Sequence, residues 1–129
     1  MSPALIQKEL KRSLQSLQAA ENLLEDGLLA DTISRAYYAV LHAAKAALLK
    51  VDVSTRSHRG VIREFSKHFI LTNKIEIEYG EILKKAKEDR ELSDYDVWGE
   101  FEIEQAKTRV EEAKRFVNKI HEFLEISAK

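Results

Sequence analysis

The sequence predicts an all-α protein that folds as an up-and-down four-helix bundle with one additional short helix. Its 129 residues contain one Pro and four Gly beside 33% charged and 44% hydrophobic residues, a composition typical of long helices with charged outer faces. Apolar residues recur at steps of three and four over most of the chain. The breaks between these stretches are short, so consecutive helices should lie antiparallel within one domain over residues 1–129.

The first helix is predicted over residues 3–26, with Gly27 as its stop. The second helix carries the clearest apolar period, which reaches Val51, and Asp31 or Thr32 is its predicted N-cap. Its many alanines leave little bulk around the helix axis, so a neighbouring helix can approach closely. We therefore expect the second helix at the centre of the bundle.

Three further helices follow. Ser57 is predicted to cap a short third helix that ends with Phe69, and Asn73 is predicted to cap a fourth that ends near Leu92. The segment 93–99 breaks the periodicity. A fifth helix is then predicted on a stripe of seven apolar residues: Ile103, Ala106, Val110, Ala113, Val117, Ile120 and Leu124.

Charge and composition exclude several classes of function. With 21 basic and 22 acidic residues the net charge is −1, so no overall field draws the protein into a DNA groove or onto a membrane. Without cysteines, and with four histidines at no metal-ligand spacing, the sequence predicts neither a metal site nor another cofactor. Because no apolar stretch is long enough to cross a bilayer and no signal-peptide pattern begins the chain, we expect a cytoplasmic protein.

One segment of the chain is locally basic. Residues 50–68 carry five Lys/Arg against two acidic residues. Its candidate binding residues are Arg56, His58, Arg59 and Arg63. Charge runs of this kind are most often solvated helix faces. The alternative is a contact patch for phosphate or for an acidic partner surface.

A second candidate is a polar stripe on the second helix, where Arg35, Tyr38 and His42 are spaced three or four residues apart. An Arg can hold a phosphate and a His can exchange a proton. The alternative, which the pattern alone favours, is that Tyr38 and His42 lie at a half-buried boundary with their polar tips in water.

Arg90 continues the inward stripe of the fourth helix, and a buried guanidinium needs a partner. Asp94, one helical turn further on, is the nearest candidate partner, and Glu21 is another. This placement predicts a structural ion pair rather than a catalytic group.

Three runs of residues together resemble the HEPN domain family, specifically its small stand-alone prokaryotic branch. They are SRAYYAVLHAAKAALL over 34–49, SHRGV over 57–61 with Phe65 and Phe69 after it, and RELSDY over 90–95. The resemblance implies a helical bundle that forms a homodimer. It also implies a gene often found beside a minimal nucleotidyltransferase, in a toxin–antitoxin pair. Many members of the family are metal-independent RNases.

In those RNases an Arg is followed after four to six residues by a His. The His moves a proton, and the Arg stabilises charge on the phosphorane. Arg90 matches the family's arginine, but Tyr95 stands five residues after it where a His would be.

The resemblance therefore implies a non-catalytic dimeric module that binds a nucleotidyltransferase partner or a nucleotide. Arg90, Asp94 and Tyr95 belong to its binding residues, and the stripe with Arg35 and His42 is expected at the dimer interface. Two alternatives stay open: a metal-independent endoribonuclease that uses Arg35 with His42 or a site near Arg90, and a stand-alone nucleotide- or RNA-binding protein.

Overall fold

The computed structural model describes residues 3–95 and 101–128, and the prediction of an all-α bundle is confirmed. Five α-helices follow one another along the chain: α1 (Pro3–Glu25), α2 (Leu29–Lys50), α3 (His58–Phe65), α4 (Ile77–Tyr95) and α5 (Ile103–Ala128). A single π-helical turn, Ser66–Ile70, continues α3. The described ranges contain no strand.

The prediction that the second helix is central is confirmed. α2 packs against the four other helices, and nearly all of its alanines are fully buried. Ser13 of α1 donates a hydrogen bond from Oγ to the Ala39 carbonyl oxygen of α2 at 2.7 Å. A side chain this short reaches the backbone of a neighbouring helix only because the contact surface of α2 is built from alanines. All five helices contribute to the one apolar core around α2.

Two of the predicted helix caps are wrong. α2 begins at Leu29, and Thr32 lies inside its first turn, where Oγ1 donates to the Leu28 carbonyl oxygen at 2.9 Å. Asn73 does not cap α4, which begins at Ile77; its φ is 59°, a left-handed conformation that Asn adopts more readily than most residues and that is not the usual conformation of an N-cap.

The predicted cap of α3 is confirmed, because the Ser57 side chain accepts a hydrogen bond from the Gly60 backbone N–H at 2.9 Å. The predicted end of the fourth helix near Leu92 is three residues short, since α4 runs to Tyr95. Residues 96–99 of the predicted break lie outside the described residues. Within the described ranges, no helix is both long and apolar enough to cross a membrane.

Candidate functional site

Tyr38, in the middle of α2, lies half-buried among aromatic and cationic side chains. Its ring centroid is 5.3 Å from that of Tyr37, 6.3 Å from that of His42 and 6.1 Å from that of His58. Arg90 of α4 donates from Nη2 to the Tyr38 hydroxyl oxygen at 3.2 Å, and its guanidinium carbon lies 5.6 Å from the Tyr38 ring centroid. We call these five residues the Tyr38 cluster.

The start of α3 brings His58 into the Tyr38 cluster. The loop before α3 folds closely over Gly60, where an added Cβ would lie 2.2 Å from Thr55 Oγ1 and 2.7 Å from Ser57 Oγ. Only glycine allows this approach, which places His58 with its ring 5.6 Å from the ring of Tyr37. The cluster therefore depends on a tight loop as well as on the three helices α2, α3 and α4.

The surroundings of His58 are positively charged. Burial is the largest cause that lowers the pKa of His58 below its ordinary value, and the nearby cations Lys45, Arg90 and Lys87, with His42, lower the pKa further. A neutral imidazole can accept a proton near neutral pH. Bringing an anion to this position would offset the repulsion among the cations.

His42 is held in place from the opposite side by α1. Its Nδ1 lies 2.7 Å from Glu9 Oε2, and the two side chains are 14% and 22% exposed. Because an ionised carboxylate only accepts hydrogen bonds, the proton of a neutral His42 resides on Nδ1 and donates to Glu9. The other ring nitrogen, Nε2, is then the one that can meet a ligand.

Tyr37 brings a buried hydroxyl to the cluster. The residue is 0% exposed, and its hydroxyl makes no hydrogen bond within the part of the chain that the structure describes. Burial raises the pKa of Tyr37 above its ordinary value, so the hydroxyl stays protonated. A buried polar group without a partner is rare in folded proteins and is often found where a protein has a function to perform.

Arg35 lies on the exposed side of α2, one and two turns before Tyr38 and His42. It lines a concave surface with His42 and with residues of α1, and this cavity has a volume of about 350 Å³. The predicted stripe of Arg35, Tyr38 and His42 is therefore divided: Tyr38 joins the cluster, Arg35 faces the cavity, and His42 borders both.

The four candidate binding residues of the basic segment do not lie together at one site. His58 belongs to the Tyr38 cluster, whereas Arg56, Arg59 and Arg63 are exposed. Arg63 Nε lies 3.8 Å from Glu64 Oε1, a loose surface ion pair.

The sequence proposed two partners for Arg90, Asp94 and Glu21, and the structure tests only Glu21. Glu21 is not that partner, since its Oε1 lies 4.0 Å from Lys114 Nζ instead. The backbone of Asp94 and Tyr95 forms the end of α4, but their side chains lie outside the described residues. The pairing of Arg90 with Asp94 stays a prediction.

Two residues of this site, Glu9 and Tyr37, are not singled out as candidates by the sequence pattern. Glu9 is 33 positions from His42, and no periodicity connects them. Tyr37 follows the apolar period of α2, and that pattern indicates only a core residue. Among the described residues, no group of three or more His, Cys, Asp or Glu side chains is arranged to hold a metal ion.

Comparison with known proteins decides the family. A family model described as HEPN domain matches residues 6–128. The chain belongs to the HEPN family. Arg90, which the sequence resemblance leads us to expect as the family's arginine, joins α4 to Tyr38, and the two histidines of the Tyr38 cluster come from α2 and α3.

Three relatives match most of the chain. Two proteins of Methanocaldococcus jannaschii, each named "Putative toxin", are 36% identical over 129 residues and 32% identical over 119 residues. These matches cover 94% and 92% of this chain and 96% and 81% of the relatives. A UPF0332 protein of Pyrococcus horikoshii is 43% identical over 91 residues, which are 70% of this chain and 64% of that protein.

Proposed function

We propose that this HEPN protein is the toxin-type member of a toxin–antitoxin pair and that it binds the phosphate of a nucleotide or of RNA at the Tyr38 cluster. The convergence of Arg90, His42 and His58 on the Tyr38 ring carries this proposal. The names of the two Methanocaldococcus jannaschii relatives support the toxin role.

The chemistry of the cluster suits a nucleotide. A guanidinium forms charge-assisted hydrogen bonds with phosphate oxygens, and the half-buried position of Arg90 strengthens such bonds relative to bulk water. Aromatic rings such as Tyr38 offer a face on which a base can stack, irrespective of base identity. Neither role requires a bond to be made or broken, so the proposal is a binding module rather than an enzyme.

The proposed module acts as a homodimer and pairs with a minimal nucleotidyltransferase, as the family resemblance implies. The exposed Arg56 and Arg59 supply a basic surface that complements an acidic partner. Light scattering of the pure protein at high micromolar concentration tests the dimer, and a monomer there would contradict it.

The binding proposal is tested by titrating a fluorescent ATP analogue and a labelled RNA into the wild type and two variants. Arg90→Ala removes the phosphate contact and should lower both affinities at least about tenfold. Arg115→Ala is the matched control, because Arg115 is an exposed arginine whose Nη2 pairs with Glu78 Oε2 at 2.6 Å, away from the cluster. Equal affinities of Arg90→Ala and wild type would refute the proposal.

Melting temperatures of the same variants separate binding from folding. If Arg90→Ala unfolds at a much lower temperature than the wild type, the binding comparison is repeated with Arg90→Lys. This variant keeps the positive charge but loses the planar guanidinium group that binds phosphate through two parallel hydrogen bonds.

A second candidate function, metal-independent RNA cleavage, is favoured by the two histidines that flank Tyr38. Neutral His58 would take the proton of a ribose 2′-hydroxyl, whose oxygen attacks the adjacent phosphorus. His42, held by Glu9 through Nδ1, would act as the general acid and give the proton of its Nε2 to the departing 5′-oxygen. The products would be a 2′,3′-cyclic phosphate and a 5′-hydroxyl end.

Incubation of the pure protein with RNA and EDTA decides between binding alone and cleavage. Under the binding proposal the RNA stays intact. Cyclic-phosphate ends that disappear in His58→Ala and in His42→Ala would establish the second candidate.

A further inference from the structure

A second basic surface lies between α1 and α2. The contacts of Glu9 with His42 and of Ser13 with Ala39, both at 2.7 Å, fix the antiparallel register of the two helices. In this register, the helical turn of α1 that follows Ser13 lies beside Arg35 of α2. The concave surface formed there, which we call the Arg12–Arg35 groove, is lined by five polar residues: Arg12, Gln15, Ser16, Arg35 and His42.

The two arginines of the groove form no ion pair with another described residue. Within residues 3–95 and 101–128, neither Arg12 nor Arg35 has an ion pair or a hydrogen bond from its side chain, and both are exposed. Two arginines on another helix do have acidic partners: Arg115 pairs with Glu78, and Arg109 lies 2.9 Å from Asp89. The groove therefore presents two guanidinium groups whose hydrogen-bond donors are available to a ligand.

The length of the groove favours a chain of phosphates over a single one. Arg35 and His42 are seven residues apart, or about 10 Å along the axis of α2. One phosphate cannot contact both ends at hydrogen-bond distance. Because His42 also belongs to the Tyr38 cluster, the two surfaces are continuous.

We propose that the Arg12–Arg35 groove holds the phosphodiester backbone of a single-stranded nucleic acid whose next nucleotide occupies the Tyr38 cluster. This inference rests on the proposed function and adds a second contact site to it. A second copy of the chain is not the occupant we infer, since a two-fold contact centred on the groove would bring the arginines of both copies together.

The test compares Arg12→Ala/Arg35→Ala with Lys84→Ala/Lys85→Ala by fluorescence anisotropy. Both double variants change the net charge by the same amount and alter only exposed side chains, but the two lysines lie on α4, outside the groove. The probes are a labelled single-stranded 12-mer, as RNA and as DNA of the same sequence, and a fluorescent ATP analogue. Titrations are run at 50, 100 and 200 mM salt.

We expect the arginine variant to lose about tenfold in affinity for the 12-mer at 50 mM salt and to lower the salt slope by about 1.4, the value for two lost contacts with a single strand. ATP-analogue binding should be unchanged, because that ligand fills only the Tyr38 cluster. A loss on RNA and DNA alike indicates backbone contacts, and a loss on RNA alone adds a contact with the ribose 2′-hydroxyl.

Three results would overturn the inference. Equal 12-mer binding by the arginine variant and the wild type shows that the groove does not contact the strand. Equal losses in the arginine and lysine variants show a general charge effect. An altered sedimentation coefficient with unchanged 12-mer binding assigns the groove to self-association. Loss of ATP-analogue binding in Arg90→Ala is a separate result and tests the proposed function alone.

Discussion

Replacing Tyr37 by Phe should stabilise the protein. Tyr37 is fully buried in α2, and its hydroxyl has no hydrogen-bond partner among the described residues. In the unfolded chain that hydroxyl bonds to water, so folding removes those bonds without replacing them. Phe keeps the ring, which packs against Tyr38 and His58, and removes only the hydroxyl.

The size of the effect follows from the cost of an unsatisfied buried polar group, about 1 to 3 kcal/mol. Part of this gain is offset by the van der Waals contacts of the lost oxygen atom, about 0.1 to 0.2 kcal/mol for each contact. A further part is offset by the attraction of the hydroxyl dipole to Arg90, whose guanidinium carbon lies 5.9 Å from the Tyr37 ring centroid. We therefore expect a net gain of about 1 kcal/mol, or about 3 to 5 °C in melting temperature for a domain of this size.

The assay is reversible urea unfolding followed by circular dichroism, with thermal melts of the same samples. Tyr38→Phe is the matched control, because it removes a hydroxyl that accepts a hydrogen bond from Arg90 at 3.2 Å. That variant should lose about 1 kcal/mol of unfolding free energy. If Tyr37→Phe is instead destabilised by as much as Tyr38→Phe, the Tyr37 hydroxyl has a partner in solution and the reasoning is wrong.

Three further predictions concern other parts of the bundle. Arg109→Met should lower the free energy of unfolding by about 3 kcal/mol in urea titration, because it strands the nearly buried Asp89 and leaves Glu112 beside it; an unchanged midpoint would contradict this. Gly60→Ala should cost at least about 1 kcal/mol in the same assay, since its Cβ would collide with the loop that caps α3, and a neutral result would mean that this loop is loose. His58 should make the protein less stable on acidification: its folded-state pKa lies below the ordinary 6.5, so the unfolded chain takes up the proton first and stability falls as the pH drops through about 6.5. His58→Gln should flatten that part of a stability-against-pH curve, and an unchanged slope would assign it to other groups.

The contact between Arg109 and Asp89 is an ion pair without a hydrogen bond from Nε to a described residue. Arg109 Nε lies 2.9 Å from Asp89 Oδ2, yet this N–H makes no hydrogen bond with any described residue, so the two groups attract as charges without good alignment. The side chains are only 10% and 12% exposed, and solvent therefore screens the pair weakly.

The sequence by itself determined the helices and their order. Apolar residues at steps of three and four place one face of each helix inward, and this local period survives in the folded protein as the buried stripes of α2 and α5. The alanines of α2 predicted its central position, because small side chains permit close approach from several sides. The sequence determined the helix ends less well, because the starts of α2 and α4 and the end of α4 depend on backbone geometry. Asn73 is an example: asparagine is common at helix N-caps, but here it adopts a left-handed conformation before α4 begins.

The site itself was decided by the tertiary structure. The sequence marked Arg35, Tyr38, His42 and Arg90 as candidates, but spacing along a helix fixes only which residues share a face. Contacts between helices depend on register and on the direction in which each loop folds, and these are properties of the whole packed chain. Glu9 therefore meets His42, Arg90 meets Tyr38 across 52 positions, and Arg12 comes beside Arg35 only after α1 and α2 have packed against each other.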